Sequence, residues 1–592
     1  MAHAHREVLT LQLGHYASCV GTHWWNLQDA ALRYNSETKQ PDPEICYDVM
    51  FRAGVTSRGQ ETYTPRLILM DLKGSLNSLK QDGSLYTEEK NTSPAGAWQG
   101  IVTIHQEDRP IKNPFLQDLT AFEQGDGFND WVLDTRSSNE ARRVPWEPSS
   151  KNKEPDRSND RFEGKPLDVS GKVYQLEGRV HVWSDYLRFD MHPKTVFTVH
   201  RYQHEGTSDR LEAFGQGTSL LDDPAYLEEL EDRLHFFVEE CDSLQGFQVL
   251  CDLHDGFSGV GSKVTEILHD EYPGKGILTW GTSPAVHTEK SPVKQVYRLL
   301  NSVLGIVALS THSSLYCPLS LSGSLGRQPG PLAAFPRLLY DASLNYHSSA
   351  VLATALETIS IPYRLQNSAF TMGQLADGLN FSGRKVVTAW ASVPFPIRQS
   401  SSLADAFCSN PGAAPWEALS CVQQKESQCF AQSVVLRGIG RQCLSSHSHH
   451  RNTGPGGIYQ TQEDLLEEFL HYLYPETLSA SHVVQSPCRV GPPYPQFFSP
   501  DTNCNGFIND QPYSIPAVVE SIPVLTAMQS SSVMQSTLRG LCNEVSKLDV
   551  RRWDSYFTGG LEQEEYHEAL QELRTLAQCY KGSIDLAEDD SD

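Results

Sequence analysis

The densest group of chemically capable residues is His254-Asp-Gly-Phe-Ser-Gly-Val-Gly261. Gly256, Gly259 and Gly261, with Ser258 among them, are the residue types a phosphate cradle needs. Backbone N–H groups at a helix N-terminus hold such an anion, and glycine alone lets the backbone approach closely or take positive φ. Asp255 opposes that chemistry. A carboxylate about 4 Å from a phosphate, at an effective dielectric near 20, costs on the order of 4 kcal/mol. That is about three decades of affinity. Ser258 has the type and place of a helix N-cap, and His254 with Asp255 has the makings of a hydrogen-bonded loop pair. No nucleophile–base dyad accompanies the loop. GxSxG is absent, because Gly256-Phe-Ser258 continues as Gly259-Val260. Cys421, Cys429, Cys443, His447, His449 and His450 offer ligand types within thirty residues, but at spacings that match no zinc template. Loop cysteines and a polar histidine run account for them. No catalytic residue and no metal ligand is assigned.

The glycine loop must be positioned by a strand before it and a helix after it. Leu244 to Leu253 reads as a turn and a strand, a short helix follows to about Asp270, and Gly276-Ile-Leu-Thr-Trp280 reads as the next strand. This is one βαβ unit with the loop at its first turn. Upstream, residues 6–13 alternate polar and apolar as a first strand, then a Gly14 turn and a helix through Val20, Trp24 and Leu27. Residues 65–72 are an apolar run ending in Asp71, the pattern of a central parallel strand. Residues 225–241 carry Leu227, Leu230, Leu234, Val238 and Cys241 at helical spacing, with Pro224 at the first helical position and Asp222 and Asp223 as caps. Residues 345–358 predict a mostly apolar helix buried between two domains. Two C-terminal helices are predicted, roughly 530–546 and 562–580, the second presenting Tyr566, Leu570, Leu573, Ala577 and Tyr580 on one face.

The 592 residues carry 48 Lys+Arg against 73 Asp+Glu, a net charge of −25. That excludes a general nucleic-acid binder and simple electrostatic docking on anionic lipid. The 13 cysteines are odd in number and scattered, which points to a reducing compartment. The N-terminus lacks a secretory h-region, the longest apolar run is too short to span a bilayer, and no lipidation motif is present. The composition of 81–170 cannot bury enough surface to order itself throughout, so an insertion with some local structure and a disordered centre is expected. Residues 397–460 read as long loops. Residues 585–592 read as a solvated acidic tail.

In their order along the chain, these pieces resemble a tubulin-type protein. Arg6 to Gly14 with Gly21-Thr-His-Trp-Trp25 resembles the opening strand, nucleotide loop and first helix. Tyr63 to Leu72 resembles the second strand, Leu244-Gln-Gly-Phe-Gln248 the segment before the glycine loop, and Trp553 to Gly559 the C-terminal helices. Gln60 to Leu76, Ala213 to Leu221 and Leu253 to Gly261 are more closely similar to the Misato family, whose members carry a long insertion in the first half. The resemblance implies a tubulin-like α/β fold. Its parts would be an N-terminal segment (1–80), an insertion (81–170), the rest of a Rossmann-like domain (171–340), a core helix and linker (341–365), a second α+β domain (366–525) with loop-rich 397–460, and C-terminal helices with a tail (526–592).

The same resemblance implies a degenerate GTP site built from Gly14, His15, Tyr16, Asp71, Gly256, Ser258, Gly259, Gly261 and Asn345. Asp255 and Phe257 replace glycines of the tubulin loop, and His15 and Tyr16 stand where tubulins carry Gln and Cys. Lys73 replaces an acid expected near the metal and attacking water. Ser320 is nearest the place of the guanine-reading Asn, Lys294 is close to that of a ribose-binding acid, and Gln374 to Asp377 match the subunit-contact loop poorly. The expectation is a scaffold that has lost hydrolysis and holds no GTP or GDP as cofactor. The family implies a cytosolic protein, partly peripheral on the mitochondrial outer membrane. It would regulate mitochondrial distribution, morphology and fusion through protein partners such as an outer-membrane receptor or fusion machinery. The competing expectations are an active, self-assembling GTPase, or an accessory factor for microtubules that engages tubulin or its chaperonin.

Overall fold

The alternation of 6–13 and the apolar run of 65–72 both require a sheet covered on two faces. The computed structural model describes residues 6–38, 43–55, 61–77, 79, 111–124, 172–206, 209–408, 414–422, 428–440, 461–511 and 517–582, and both segments are central strands in it. β1 (Val8–Leu13) pairs in parallel with β2 (Leu67–Lys73), Thr10 opposite Leu67. With β3 (Val196–Gln203), β4 (Gly246–Asp252), β5 (Gly276–Thr282) and β6 (Leu315–Leu319) they form one parallel sheet. Its order is β3-β2-β1-β4-β5-β6. This is the doubly wound arrangement, with its switch point between β1 and β4.

The two faces divide by residue parity. Leu9, Leu11 and Leu13 point into one core and Val8 into the other, as do Ile68 and Met70 against Leu67 and Leu69. The first core is closed by α2 (Phe214–Leu220), α3 (Pro224–Glu239), α4 (Phe257–Glu271) and α5 (Pro292–His312), and the second by α1 (His15–Thr38). Pro224 opens α3 and the Asp223 carboxylate accepts from Ala225 N, as the sequence predicts. Its buried residues are Leu230, Leu234 and Phe237; Leu227 and Val238 are only half-buried, so the face is rotated slightly from the expected one.

α6 (Asn345–Ile359) is buried from Tyr346 onward. It lies among α1, the first sheet and a second sheet of β7 (Thr388–Ser392), β8 (Glu417–Ala418), β9 (Cys429–Arg437), β10 (Leu478–Val484) and β11 (Val524–Ser531), ordered β8-β7-β11-β9-β10. Glu357 of α6 is 2% exposed and sits between Arg364 Nη2 at 2.9 Å and Arg437 Nη1 at 3.4 Å. Trp24 Nε1 donates to it at 3.0 Å, and Arg364 Nη1 donates to Gln28 at 2.9 Å. This buried cluster therefore joins α1, α6 and β9. α7 (Val533–Ser546) and α8 (Gln563–Gln578) complete the chain, with Tyr566, Leu570, Leu573, Ala577 and Tyr580 all buried.

Two expectations are corrected. Residues 397–460 are not loop throughout: β9 sits inside them, paired on both sides, because Val434, Val435 and Leu436 supply a buried core run. The boundary at 525/526 cuts β11, a central strand, so the second α+β unit reaches Ser531. Within the insertion at 81–170, Pro114–Gln124 is a helix whose Phe115 is buried in the second core. The expected disordered centre, the acidic tail, Cys443 and the His447, His449 and His450 run lie outside the described residues.

Candidate functional site

In a doubly wound sheet, ligands meet the chain outside the carboxyl ends of the strands at the switch point. A cavity of about 580 Å³ opens there. Its wall is built from residues at the strand ends: His15 and Tyr16 after β1, Asp71 closing β2, His204 after β3, Asp255 after β4, and His287 beyond β5. Asn345, exposed at the start of α6, forms the far side.

The turn out of β1 carries the electrostatics. Gly14 takes φ +108°, and a Cβ there would lie 2.5 Å from Asp252 Oδ2. The glycine thus admits the Asp252 carboxylate to the first amides of α1. Tyr16 N and Ala17 N each donate to it at 2.8 Å, and Thr282 Oγ1 donates at 2.8 Å. A helix N-terminus is an anion site, and here the anion is a side chain of the same protein. Asp255 sits nearby, its carboxylate accepting from Phe257 N at the start of α4 at 2.9 Å. Burial pushes both carboxyls up, Asp252 to about 7 and Asp255 well above the carboxylate range, the latter also because Asp252 stands beside it. Asp252 has three donors to hold its charge, so Asp255 is the member that keeps a proton. Of the two, Asp252 is the one that ionises more readily.

The glycines of the loop face away from the cavity. A Cβ on Gly256 would meet Leu211 Cγ at 2.7 Å and Ala213 O at 2.8 Å. One on Gly259 would run into Phe214 O, and one on Gly261 into Cys251 Sγ. These residues are glycine because α4 packs directly on α2 and β4. Ser258 is fully buried and does not cap: Gly256 holds the N-cap position, and Ser258 Oγ donates to Asp255 O at 2.8 Å. His254 Nε2 and Asp255 Oδ2 are 3.7 Å apart, too far for the expected hydrogen bond. The structure thus brings His15, Tyr16, Asp71 and Asn345 to the cavity, while Gly256, Ser258, Gly259 and Gly261 lie behind its wall.

At the other end of the cavity, His15 Nδ1 is 3.1 Å from Asp71 Oδ2, and Trp183 Nε1 donates to the same oxygen at 2.9 Å. The His204 ring lies 3.8 Å from that of His15, centroid to centroid. Burial lowers the His15 pKa, but Cys19 and Asp71 outweigh it and leave it raised. Burial would raise Asp71, yet His15 brings it down. Burial and His15 take His204 down to about 4. The pocket's cations are engaged: Arg210 pairs with Glu289 at 2.7 Å, Lys294 with Glu212, and Arg298 Nη2 donates to Glu289 O at 2.9 Å. Tyr16 OH donates to Ser348 Oγ at 3.0 Å. Ser320 is buried, its N donating to Leu419 O at 2.8 Å, and Gln374 caps the helix Met372–Leu379; neither they nor Lys73 line the cavity.

Asp252, Trp183 and His204 escaped the sequence reading. For Asp252 a signal existed, an acid ending a buried strand. His204 and Trp183 lie far along the chain from the residues they meet. Among the described residues no helix is long and apolar enough to cross a membrane.

Residues 6–121 match the Misato Segment II tubulin-like domain, and residues 175–365 match the Tubulin domain. Protein misato homolog 1 of Bos taurus is 51% identical over 590 residues, covering 99% of both chains. That of Homo sapiens is 49% identical over 592 residues, covering 99% of this chain and all of its own. Protein misato of Drosophila melanogaster is 26% identical over 606 residues, covering 98% of this chain and 99% of its own.

Proposed function

The chain belongs to the Misato family of tubulin-like proteins, and from that premise we propose that it is a non-catalytic scaffold that acts by binding protein partners. The partners would sit at the cytosolic face of the mitochondrial outer membrane, where the protein regulates mitochondrial distribution, morphology and fusion. The observation that carries the non-catalytic half is Asp252. Its carboxylate takes the Tyr16 and Ala17 amides that a polyphosphate would need. The cavity's Arg210 and Lys294 are already paired with acids. A guanine nucleotide therefore does not fit these residues, and no step is derived through one.

The test is nucleotide extraction from freshly purified full chain, with GTP turnover measured alongside. The expected result is no stoichiometric guanine nucleotide and no turnover above the blank. Recovery of GDP or GTP near one equivalent would overturn the reading. The cellular half is checked by fractionation: the protein should partly co-sediment with mitochondria and be removed by mild external protease. Protection from that protease would argue against the cytosolic face.

One observation favours the alternative of a self-assembling GTPase, namely the retained cavity of about 580 Å³ at the switch point. That reading requires turnover and pelletable filaments in the presence of GTP.

A further inference from the structure

The cavity holds a donor set that a phosphate does not use. His15, Asp71 and His204 each offer one ligand atom, and these three atoms lie within 4.8 Å of one another. They come from three separate strand ends, so the parallel sheet itself assembles them. His15 opens α1, Asp71 closes β2, and His204 is fixed beside Asp71 because its N donates to Lys73 O at 2.9 Å.

We infer that His15, Asp71 and His204 form a binding site for a divalent transition-metal ion of the zinc class, with its remaining coordination positions open to the cavity. Four arguments carry this beyond the scaffold reading. The donors are two imidazoles and a carboxylate, a set that suits zinc and its neighbours, whereas magnesium prefers oxygen alone. Zinc–nitrogen bonds of about 2.0 Å place tetrahedral donors about 3.3 Å apart. His15 Nδ1 and Asp71 Oδ2 are already 3.1 Å apart, so only the half-buried His204 ring has to turn inward. Asp71 also has the outer partner that orients metal-bound carboxylates, since Trp183 Nε1 donates to it at 2.9 Å. Finally, the cavity's own cations do not oppose an added one, since Arg210 and Lys294 are already paired with Glu289 and Glu212. This ion is held by side chains alone and is distinct from one carried in on a nucleotide.

The experiment is titration of chelator-treated full chain with Zn2+ against a chromophoric competitor, repeated with Mg2+, and with Co2+ to read its visible spectrum. The wild-type chain should bind one tight Zn2+ equivalent, ignore Mg2+ at equal concentration, and give Co2+ bands of a four- or five-coordinate nitrogen–oxygen site. His15→Ala and His204→Ala should each weaken that equivalent by more than about 100-fold, beyond the range of outer-partner changes. Circular dichroism establishes that each variant is folded. His204→Gln, which keeps size and polarity, serves if the alanine variant does not fold. A variant with His447, His449 and His450 all replaced by alanine should keep the equivalent. No zinc bound, zinc retained by His15→Ala or His204→Ala, zinc lost in the triple variant, or Mg2+ bound as tightly as Zn2+ would each overturn the site. Nucleotide content is unaffected by any of these outcomes, so failure here is separable from failure of the scaffold reading.

Discussion

Asp252 does at one residue what a bound anion does in a phosphate site. Asp252→Ser should free the Tyr16 and Ala17 amides and remove the charge. We expect the variant to gain orthophosphate or GDP binding near the millimolar level, about 4 kcal/mol by calorimetry, and the wild-type chain to show none in the same titration. Loss of the cap should also lower stability by about 1–2 kcal/mol in denaturant melts. A variant that melts lower yet gains no anion would show that the amides alone do not recruit one. The residue scale was only partly legible in the sequence. The glycine loop was located correctly, but the side on which it meets its neighbour is decided by α2, whose Phe214 and Gly217 lie more than thirty residues upstream. A glycine motif states that something comes close, and here that something is protein backbone.

At the scale of elements, the α2–α4 contact makes a sharp prediction. A Cβ on Gly259 would collide with Phe214 O, so Gly259→Ala should destabilise the fold by about 1–3 kcal/mol without touching the cavity. Its melting point is the readout, and loss of function in that variant says nothing about nucleotide. The α1–α6 contact predicts a pH dependence. His23 is buried, stacks on Tyr186 at 4.4 Å and donates from Nε2 to Tyr346 O at 3.0 Å. Burial lowers its pKa from 6.5 to about 3. Above pH 6.5 the folded and unfolded chains both hold it neutral; below that, only the unfolded chain takes the proton, so stability falls as pH drops from 6.5 towards 3. The slope is about 1.4 kcal/mol per pH unit for each such histidine. His254 and His287, also lowered by burial, add with the same sign. His23→Gln keeps a donor for Tyr346 and should flatten the fall in denaturant midpoint between pH 7.5 and 5. Elements with a strong period, such as β1, α3 and α8, were legible because parity or helical spacing fixes which side is buried. β9 was not: its core run Val434 to Leu436 is embedded in Ser- and Gln-rich sequence, and only pairing with β10 and β11 makes its polar Gln432 and Ser433 tolerable inside.

At the scale of the whole molecule, the sequence conveyed two α/β units with a buried helix between them, but not what fastens them. Nothing in the sequence singles out Arg364 and Arg437, which the fold brings to either side of Glu357 on α6. Glu357→Gln would leave two guanidinium groups buried without their counter-charge. It should cost about 3–5 kcal/mol, read as one cooperative shift of the denaturation curve, with both sheets lost together. Two separate transitions would argue that the units are independent. Swivelling one sheet against the other would pull Arg437 of β9 off the carboxylate that Trp24 and Arg364 also hold, so that motion has to break this buried cluster. A partner that splays the two sheets apart must therefore supply about the 3–5 kcal/mol that breaking such a buried pair costs.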